Sequence, residues 1–112
     1  MKDQDAVSAL GALAQEDRLA AFRLLMTAGL DGLPSGTVAE RLDIQPTRMS
    51  FHLTTLERAG LLTTRRDGRH ILYAVDYDRM RDLLGFLMED CCGNDPAICC
   101  FPAIELKNPK GL

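Results

Sequence analysis

Four cysteines near the C-terminal end of the chain are the residues best suited to chemistry. Cys91, Cys92, Cys99 and Cys100 are the whole cysteine complement of the sequence, and all lie within one ten-residue segment. A disulfide framework spreads its cysteines to join distant segments. Clustered thiols without a neighbouring histidine are instead typical of a site for a soft metal or metalloid, or of a redox switch. The stretch between the two pairs contains glycine and proline, so the chain can turn back and bring three or four sulfur atoms together.

The spacing of these cysteines favours a three-coordinate metalloid over zinc. Zinc sites usually separate paired cysteines by two to four residues, because adjacent cysteines chelate one ion with strain. A pyramidal As(III) or Sb(III) centre accepts an adjacent pair plus one distant thiol, which leaves the fourth cysteine spare. Arsenous acid suits neutral pH, since each thiol proton can leave as water with one of its hydroxyls. A disulfide-based redox switch and cysteines without function are the alternatives.

Apolar residues recur at helical spacing in five segments that must position these groups. Gly29 and Gly60 are stop signals for the second and fourth helices. Pro46 fits the first position of the fourth, because its missing N–H would be unpaired there anyway. Ser35 is expected to cap the third helix after a turn over residues 30–34. The predicted helices cover residues 3–14, 16–28, about 36–42, 46–59 and 77–89.

Two segments rich in Thr, Ile, Val and Tyr, residues 61–66 and 70–75, are predicted to be strands. Asp67-Gly68 joins them, and this dipeptide is typical of a two-residue hairpin turn. A short helix, a tight turn at residues 43–45, a second helix and then a hairpin is the order of a winged helix-turn-helix. The sequence therefore predicts a mainly α fold with one β-hairpin.

Length and composition limit the classes of protein to which the chain can belong. Its 112 residues, 46% hydrophobic and 26% charged, predict one soluble globular domain over residues 1–100, the cysteine segment 91–100 included, and a flexible tail over 101–112. No apolar stretch is long enough for a membrane span. The N-terminus lacks the layout of a secretory signal, so a cytoplasmic location is expected. No general base, nucleophile and orienting partner fall together, so an enzyme is not expected.

The net charge of −3 conceals one basic block, which points to DNA. Residues 45–73 carry five Arg against two acidic residues, and a polyanion responds to local charge. The helix in this block exposes hydroxyls for base edges, a phenylalanine for thymine methyl groups and an arginine for guanine or phosphate. Arginines beside the hairpin turn suit a minor groove or phosphate. The predicted DNA-binding residues are Gln45, Thr47, Arg48, Ser50, Phe51, His52, Arg65, Arg66 and Arg69.

Each of these DNA-binding features has an alternative explanation. The helix face could be an ordinary solvated face, although a lone exposed Phe51 counts against that. The hairpin arginines could serve solubility alone. His52, on the border of the core side, could be a hydrogen-bonded structural histidine, and His70 more simply pairs locally on its strand.

Four segments carry a resemblance to a known family: ALGALAQEDRL at 9–19, VAERL at 38–42, MSFHLTTLERAGLL at 49–62 and RRDGR at 65–69. They resemble the ArsR/SmtB family of small dimeric, metal-responsive winged-helix repressors. The resemblance implies a homodimer through the first and last helices, where Val7, Leu10, Leu83, Leu84 and Leu87 are apolar. Two recognition helices would then lie roughly 34 Å apart on an inverted repeat of double-stranded operator DNA.

The resemblance also implies the sensor. The tail looks like that of arsenite-responsive members in which a vicinal cysteine pair and a third C-terminal cysteine bind As(III). Cys91, Cys92 and Cys99 match by position, with Cys100 as the alternative to Cys99. The Cys-Val-Cys motif of other arsenic sensors is missing from residues 36–40, and residues 78–89 lack the histidine of zinc sensors.

The implied function is a repressor that holds its operator when metalloid-free and releases it on binding As(III) or Sb(III), with no organic cofactor. A redox-sensing or other soft-metal-sensing repressor of the same fold is one alternative. A small metal-binding module that does not act on DNA is the other.

Overall fold

Five α-helices and a three-stranded antiparallel sheet build the part of the chain that the computed structural model describes, residues 1–88. The expectations for residues 89–112, which include the cysteine segment and the tail, lie outside the described residues. All five predicted helices and the predicted hairpin are present. The helices are α1 (Asp3–Leu13), α2 (Glu16–Ala28), α3 (Ser35–Leu42), α4 (Pro46–Arg58) and α5 (Tyr77–Met88), and the strands are β1 (Leu33–Pro34), β2 (Leu62–Asp67) and β3 (His70–Val75).

Local signals set most helix ends. The side chain of Gln15 caps α2 by accepting a 2.9 Å hydrogen bond from the backbone N–H of Arg18. Gly29, with a φ of +74°, ends the same helix. The prediction that Ser35 caps α3 is wrong by one position. Pro34 stands at the N-cap with an extended backbone (ψ 154°) because it still belongs to a strand, and Ser35 is the first helical residue.

The segment 30–34, predicted to be a turn, contains a strand instead. A 3₁₀ turn over Gly29–Asp31 leads into β1, where Leu33 pairs with Tyr73 and Pro34 with Leu72 of β3. The sheet order is β1-β3-β2, so β1 is an edge strand, where proline is tolerated. A strand of two residues is too short to show alternation, which is why its sequence did not reveal it.

The hairpin turn lies one residue further along than predicted. Asp67 pairs with His70, so Gly68 and Arg69 form the turn in place of Asp67-Gly68. Gly68 has a φ of +63°, whereas the φ of Arg69 is not positive. A two-residue turn with positive φ at its first position only is a type II′ turn, which favours glycine at that position.

The core lies between the helices and the inner side of the hairpin. The sequence predicted Met49, Leu53 and Leu56 as the inner stripe of α4, and all three are fully buried. None of the helices within residues 1–88 is long and apolar enough to cross a membrane. The largest fully buried side chains are Leu25, Val38, Met49, Leu53, Leu56 and Leu61.

Gly32 is the glycine that the connection into β1 requires. Its φ is +73°, and a Cβ there would collide with the carbonyl oxygen of Tyr73 in β3. We expect Gly32→Ala to lower the free energy of unfolding by more than about 2 kcal/mol, because backbone strain adds to the collision. Urea unfolding at a fixed protomer concentration measures this. Gly36→Ala is the matched control, since a Cβ at Gly36 meets nothing within 4 Å; equal losses in the two variants would contradict the assignment.

Candidate nucleic-acid interface

The turn between α3 and α4 sets the direction in which α4 leaves the core. Asp43 ends α3 in the left-handed conformation, with a φ of 54°, a region that aspartate enters more readily than most residues. The backbone N–H of Ile44 donates to the carbonyl of Ala39 at 3.0 Å, which closes the end of α3. Pro46 then begins α4. This arrangement is the helix-turn-helix that the sequence predicted.

The buried stripe of α4 leaves most of the predicted DNA-binding residues in solvent. Gln45 precedes the helix, and the first turns of α4 present exposed side chains around its outer face. In a helix-turn-helix, the N-terminal residues of the second helix approach the base edges. The exposed members of the predicted set on this helix and at its N-cap are Gln45, Thr47, Arg48, Ser50 and Phe51.

His52 differs from its neighbours because its side chain is only 14% exposed. It lies on the border between the outer face and the core, where the sequence also allowed a structural role. Its Nε2 atom lies 3.6 Å from Oδ2 of Asp17 in α2. The histidine therefore lies between α2 and α4, and it can reach a partner only at the edge of the outer face.

Asp17 is a residue of this surface that sequence reasoning missed. Its Oδ2 accepts a 3.0 Å hydrogen bond from Nη2 of Arg48, so one carboxylate faces both Arg48 and His52. In the sequence, Asp17 appeared only as an acidic residue in the first turn of a helix, which needs no further explanation. It lies 31 positions from Arg48, and no local pattern predicts such a contact. Arg48 nevertheless remains 60% exposed, so most of its guanidinium is accessible.

The three hairpin arginines are exposed but do not share one surface. Arg65 and Arg66 are consecutive in β2, so they project to opposite faces of the sheet. Arg69 occupies the second position of the turn at the tip. Nη2 of Arg65 donates to the carbonyl oxygen of Asp31 at 3.1 Å, which ties this side chain to the 3₁₀ turn. Arg66 and Arg69 are thus the hairpin arginines better placed to meet a partner.

Within residues 1–88, no group of three or more His, Cys, Asp or Glu side chains is arranged to hold a metal ion. His70 is exposed at the start of β3, opposite Asp67. The four predicted ligands, Cys91, Cys92, Cys99 and Cys100, lie outside the described residues. In the sequence they follow closely on α5, which is described as far as Met88.

The first and last helices carry apolar side chains that the protomer does not cover. Val7 and Leu10 of α1 are 70% and 42% exposed, and Leu87 of α5 is 48% exposed. Leu83, which the sequence placed in the same set, is only 5% exposed because it packs into the protomer's own core. The two helices touch, with Nη2 of Arg79 lying 3.6 Å from Oδ1 of Asp5.

Comparisons with known proteins agree with this geometry. A family model described as a helix-turn-helix domain matches residues 13–65, which span α2 to β2. The chain is 38% identical over 86 residues to an uncharacterised HTH-type transcriptional regulator, YceK, of Bacillus subtilis, covering 76% of this chain and 85% of the relative. Relatives of the chain, YceK among them, are transcriptional regulators and not enzymes. This confirms the expectation that the chain is not an enzyme.

Two solved structures share the fold. Reduced HlyU from Vibrio cholerae is 33% identical with a TM-score of 0.58, and the match covers 75% of this chain and 88% of that one. An ArsR-like transcriptional regulator from Rhodococcus has a TM-score of 0.72 at 22% identity, with 91% of each chain covered. The mainly α winged helix-turn-helix is thereby confirmed.

The contact between Asp17 and Arg48 is expected to stabilise the fold only weakly. The arginine can therefore exchange this contact for one with DNA. We expect a double-mutant cycle with Asp17→Ala and Arg48→Ala to give a coupling energy of about 0.2–1 kcal/mol in urea unfolding, because the arginine is largely exposed. The wild type, the two single variants and the double variant are all measured at the same protomer concentration. A coupling above about 2 kcal/mol would show instead that the pair is a structural tie.

Proposed function

Because the chain belongs to the family of HTH-type transcriptional regulators that includes YceK and HlyU, we propose that it is a cytoplasmic, homodimeric repressor of an arsenic-responsive operator. The metalloid-free dimer binds an inverted repeat in double-stranded DNA. Coordination of As(III) or Sb(III) by cysteines of the C-terminal segment releases it.

The exposed outer face of α4 is the observation that carries the DNA-binding half of the proposal. Three buried residues hold the helix by its inner face, and the opposite face presents Thr47, Arg48, Ser50 and Phe51 to solvent. A helix with short polar side chains, one arginine and one apolar ring at its N-terminal end matches the groups displayed in a major groove. Arg66 and Arg69 of the hairpin would add contacts to phosphate or the minor groove.

The unpartnered apolar side chains of α1 and α5 support the homodimer. Val7, Leu10 and Leu87 expose hydrophobic surface that a second copy of the same surface would cover. The same fold is described as homodimeric for the winged-helix domain Mb0332 from Mycobacterium bovis. A two-fold axis through these helices would give the protein two copies of α4, as an inverted repeat requires.

The donor set of the C-terminal segment fits the proposed inducer. Cys91, Cys92 and Cys99, with Cys100 as the alternative to Cys99, offer soft sulfur ligands. Three thiols and one molecule of arsenous acid balance as one As(III) trithiolate and three molecules of water, with no change in oxidation state. The protons therefore need no acceptor in solution, unlike those displaced by a divalent metal ion.

The start of α5 contacts α2 and the segment that follows α4, and this supports an allosteric release. Tyr77 donates its hydroxyl to the carbonyl of Met26 at 3.0 Å, which ties α5 to α2. The side chain of Arg79 packs against Gly60, which follows α4 by two residues. Metalloid bound beyond α5 can thus change the spacing of the two α4 helices through the dimer, and a coupling of about 1–3 kcal/mol weakens DNA binding roughly 5–150-fold.

An arsenite titration of the protein on its own upstream DNA tests both halves of the proposal. The full-length reduced protein is bound to a fluorescent duplex, and anisotropy is followed in a phosphine reductant, because a dithiol would compete for arsenic. We expect release near one equivalent of arsenite per protomer. Cys91→Ser should bind DNA like the wild type and fail to release, whereas Arg48→Ala should bind DNA more weakly without arsenite.

Three outcomes would contradict parts of this proposal. Loss of DNA binding in Cys91→Ser would make the cysteine structural. Absence of salt-dependent DNA binding would favour a metal-binding module. Release by a peroxide but not by arsenite would favour a thiol redox switch, in which two thiols and one peroxide yield a disulfide and two waters. The thiol redox switch gains support from HlyU, because a solved structure of HlyU is described as the reduced form.

The dimer has its own test, at a residue whose replacement should not disturb the protomer. Val7 is 70% exposed, so we expect Val7→Lys to remain folded yet become monomeric, because two lysines would meet across the two-fold axis. Sedimentation velocity at one protomer concentration measures this. Ser8→Lys is the matched control, because Ser8 is exposed and lies about 100° further around α1. A dimeric Val7→Lys variant would place the interface elsewhere.

A further inference from the structure

The geometry points to Phe51 as the residue that selects thymine at the centre of each half-site, through contact of its ring with 5-methyl groups in the major groove. This inference rests on the proposed DNA-binding function and adds a specificity to it. The chemistry recognised is the methyl group that distinguishes thymine from uracil and from cytosine.

Phe51 is exposed to a degree that the other phenylalanines of the described chain are not. Its side chain is 69% exposed, whereas Phe22 is 7% exposed and Phe86 packs against the core. When a partner covers an exposed aromatic ring, the burial of its apolar surface stabilises the complex. In α4 its neighbours at helical spacing are Thr47, Thr54 and Thr55, so the ring stands at the centre of the outer face.

Two of those neighbours have no hydroxyl hydrogen free to donate to a partner. Thr54 donates its hydroxyl to the carbonyl of Ser50 at 2.9 Å, and Thr55 donates to the carbonyl of Phe51 at 3.0 Å. Both hydroxyl hydrogens are therefore engaged within the helix, so each side chain can offer a partner its γ-methyl group and an accepting oxygen atom but no hydrogen-bond donor. The ring and two methyl groups thus form an apolar strip along the middle of the face.

The arginines of α4 are not placed to read a base at this centre. Arg48 lies in the first turn, on the side of the face next to Asp17, and Arg58 lies in the last turn. Seven residues separate Arg58 from Phe51, which is about 10 Å along the helix axis. A guanine at the centre of the half-site would therefore lack the bidentate arginine that usually recognises it, whereas a thymine would meet apolar groups.

The charge around the strip identifies DNA as its occupant in preference to another protein. The strip lies within the residues 45–73, which carry five Arg against two acidic residues. The one acidic residue of α4, Glu57, lies about 120° around the helix axis from Phe51. A phosphate backbone on either side of the ring would thus meet positive charge, and the groove between the strands would receive the apolar strip.

Replacement of thymine by uracil removes the methyl group and leaves every base-pairing group unchanged. We would amplify the DNA upstream of the protein's own coding sequence once with dTTP and once with dUTP. The full-length, reduced, arsenite-free protein is then titrated with each duplex. We expect the wild type to bind the uracil duplex at least about fourfold more weakly, which corresponds to about 0.8 kcal/mol for one covered methyl group. Phe51→Ala should bind both duplexes equally, and Phe51→Leu should keep part of the preference.

A matched variant separates this effect from general loss of DNA binding. Arg66→Ala removes an exposed hairpin arginine, so it should weaken binding to both duplexes by the same factor and keep the wild-type ratio. Equal binding of both duplexes by the wild type would overturn the inference and leave the DNA-binding function intact. A preference retained in Phe51→Ala would also overturn it, since the uracil duplex would then differ in shape alone. Absence of binding to either duplex would instead contradict the proposed function itself.

Discussion

The burial of one face of α4 is the constraint on which the rest of the surface depends. Met49, Leu53 and Leu56 are fully buried against the neighbouring helices and β2. Removing one such side chain from a core costs about 2–5 kcal/mol, which greatly exceeds any single contact on the outer face. The helix therefore has one rotational setting, and that setting places Phe51 and Arg48 in solvent. The DNA-facing surface follows from the packing of the opposite side.

The same packing offers a route by which the proposed metalloid signal beyond α5 would reach α4. The start of α5 is joined to α2 through Tyr77 and to Gly60, two residues beyond α4, through Arg79. These contacts make the core a continuous set of packed elements, and such elements shift between discrete arrangements more readily than they deform. Since Val7 and Leu87 are exposed on α1 and α5, the geometry of the proposed dimer is the quantity that the proposed metalloid binding would change.

In the proposed function, neutral and charged contacts on the outer face of α4 contribute differently to DNA recognition. The hairpin arginines and Arg48 supply charge, which raises affinity for any DNA and falls with salt. Thr54 and Thr55 donate their hydroxyl hydrogens to their own helix, so the central part of the face offers a partner apolar groups and no hydroxyl donor. On such a surface, affinity for DNA comes mainly from the arginines, and sequence preference comes from the apolar residues at the centre of the face.

The sequence by itself determined most features that depend on local periodicity or on a single residue's backbone preference, although the N-cap of α3 and the hairpin turn each lie one residue from their predicted positions. The five helices, the buried stripe of α4, the stop at Gly29 and the hairpin follow from spacings of two and 3.6 residues and from glycine and proline. Only the tertiary structure decided the strand Leu33–Pro34, the burial of Leu83 within its own protomer and the contact of Asp17 with Arg48 and His52. Each of these depends on a partner far away in the sequence, and periodicity within one element contains no information about which distant element will pack against it.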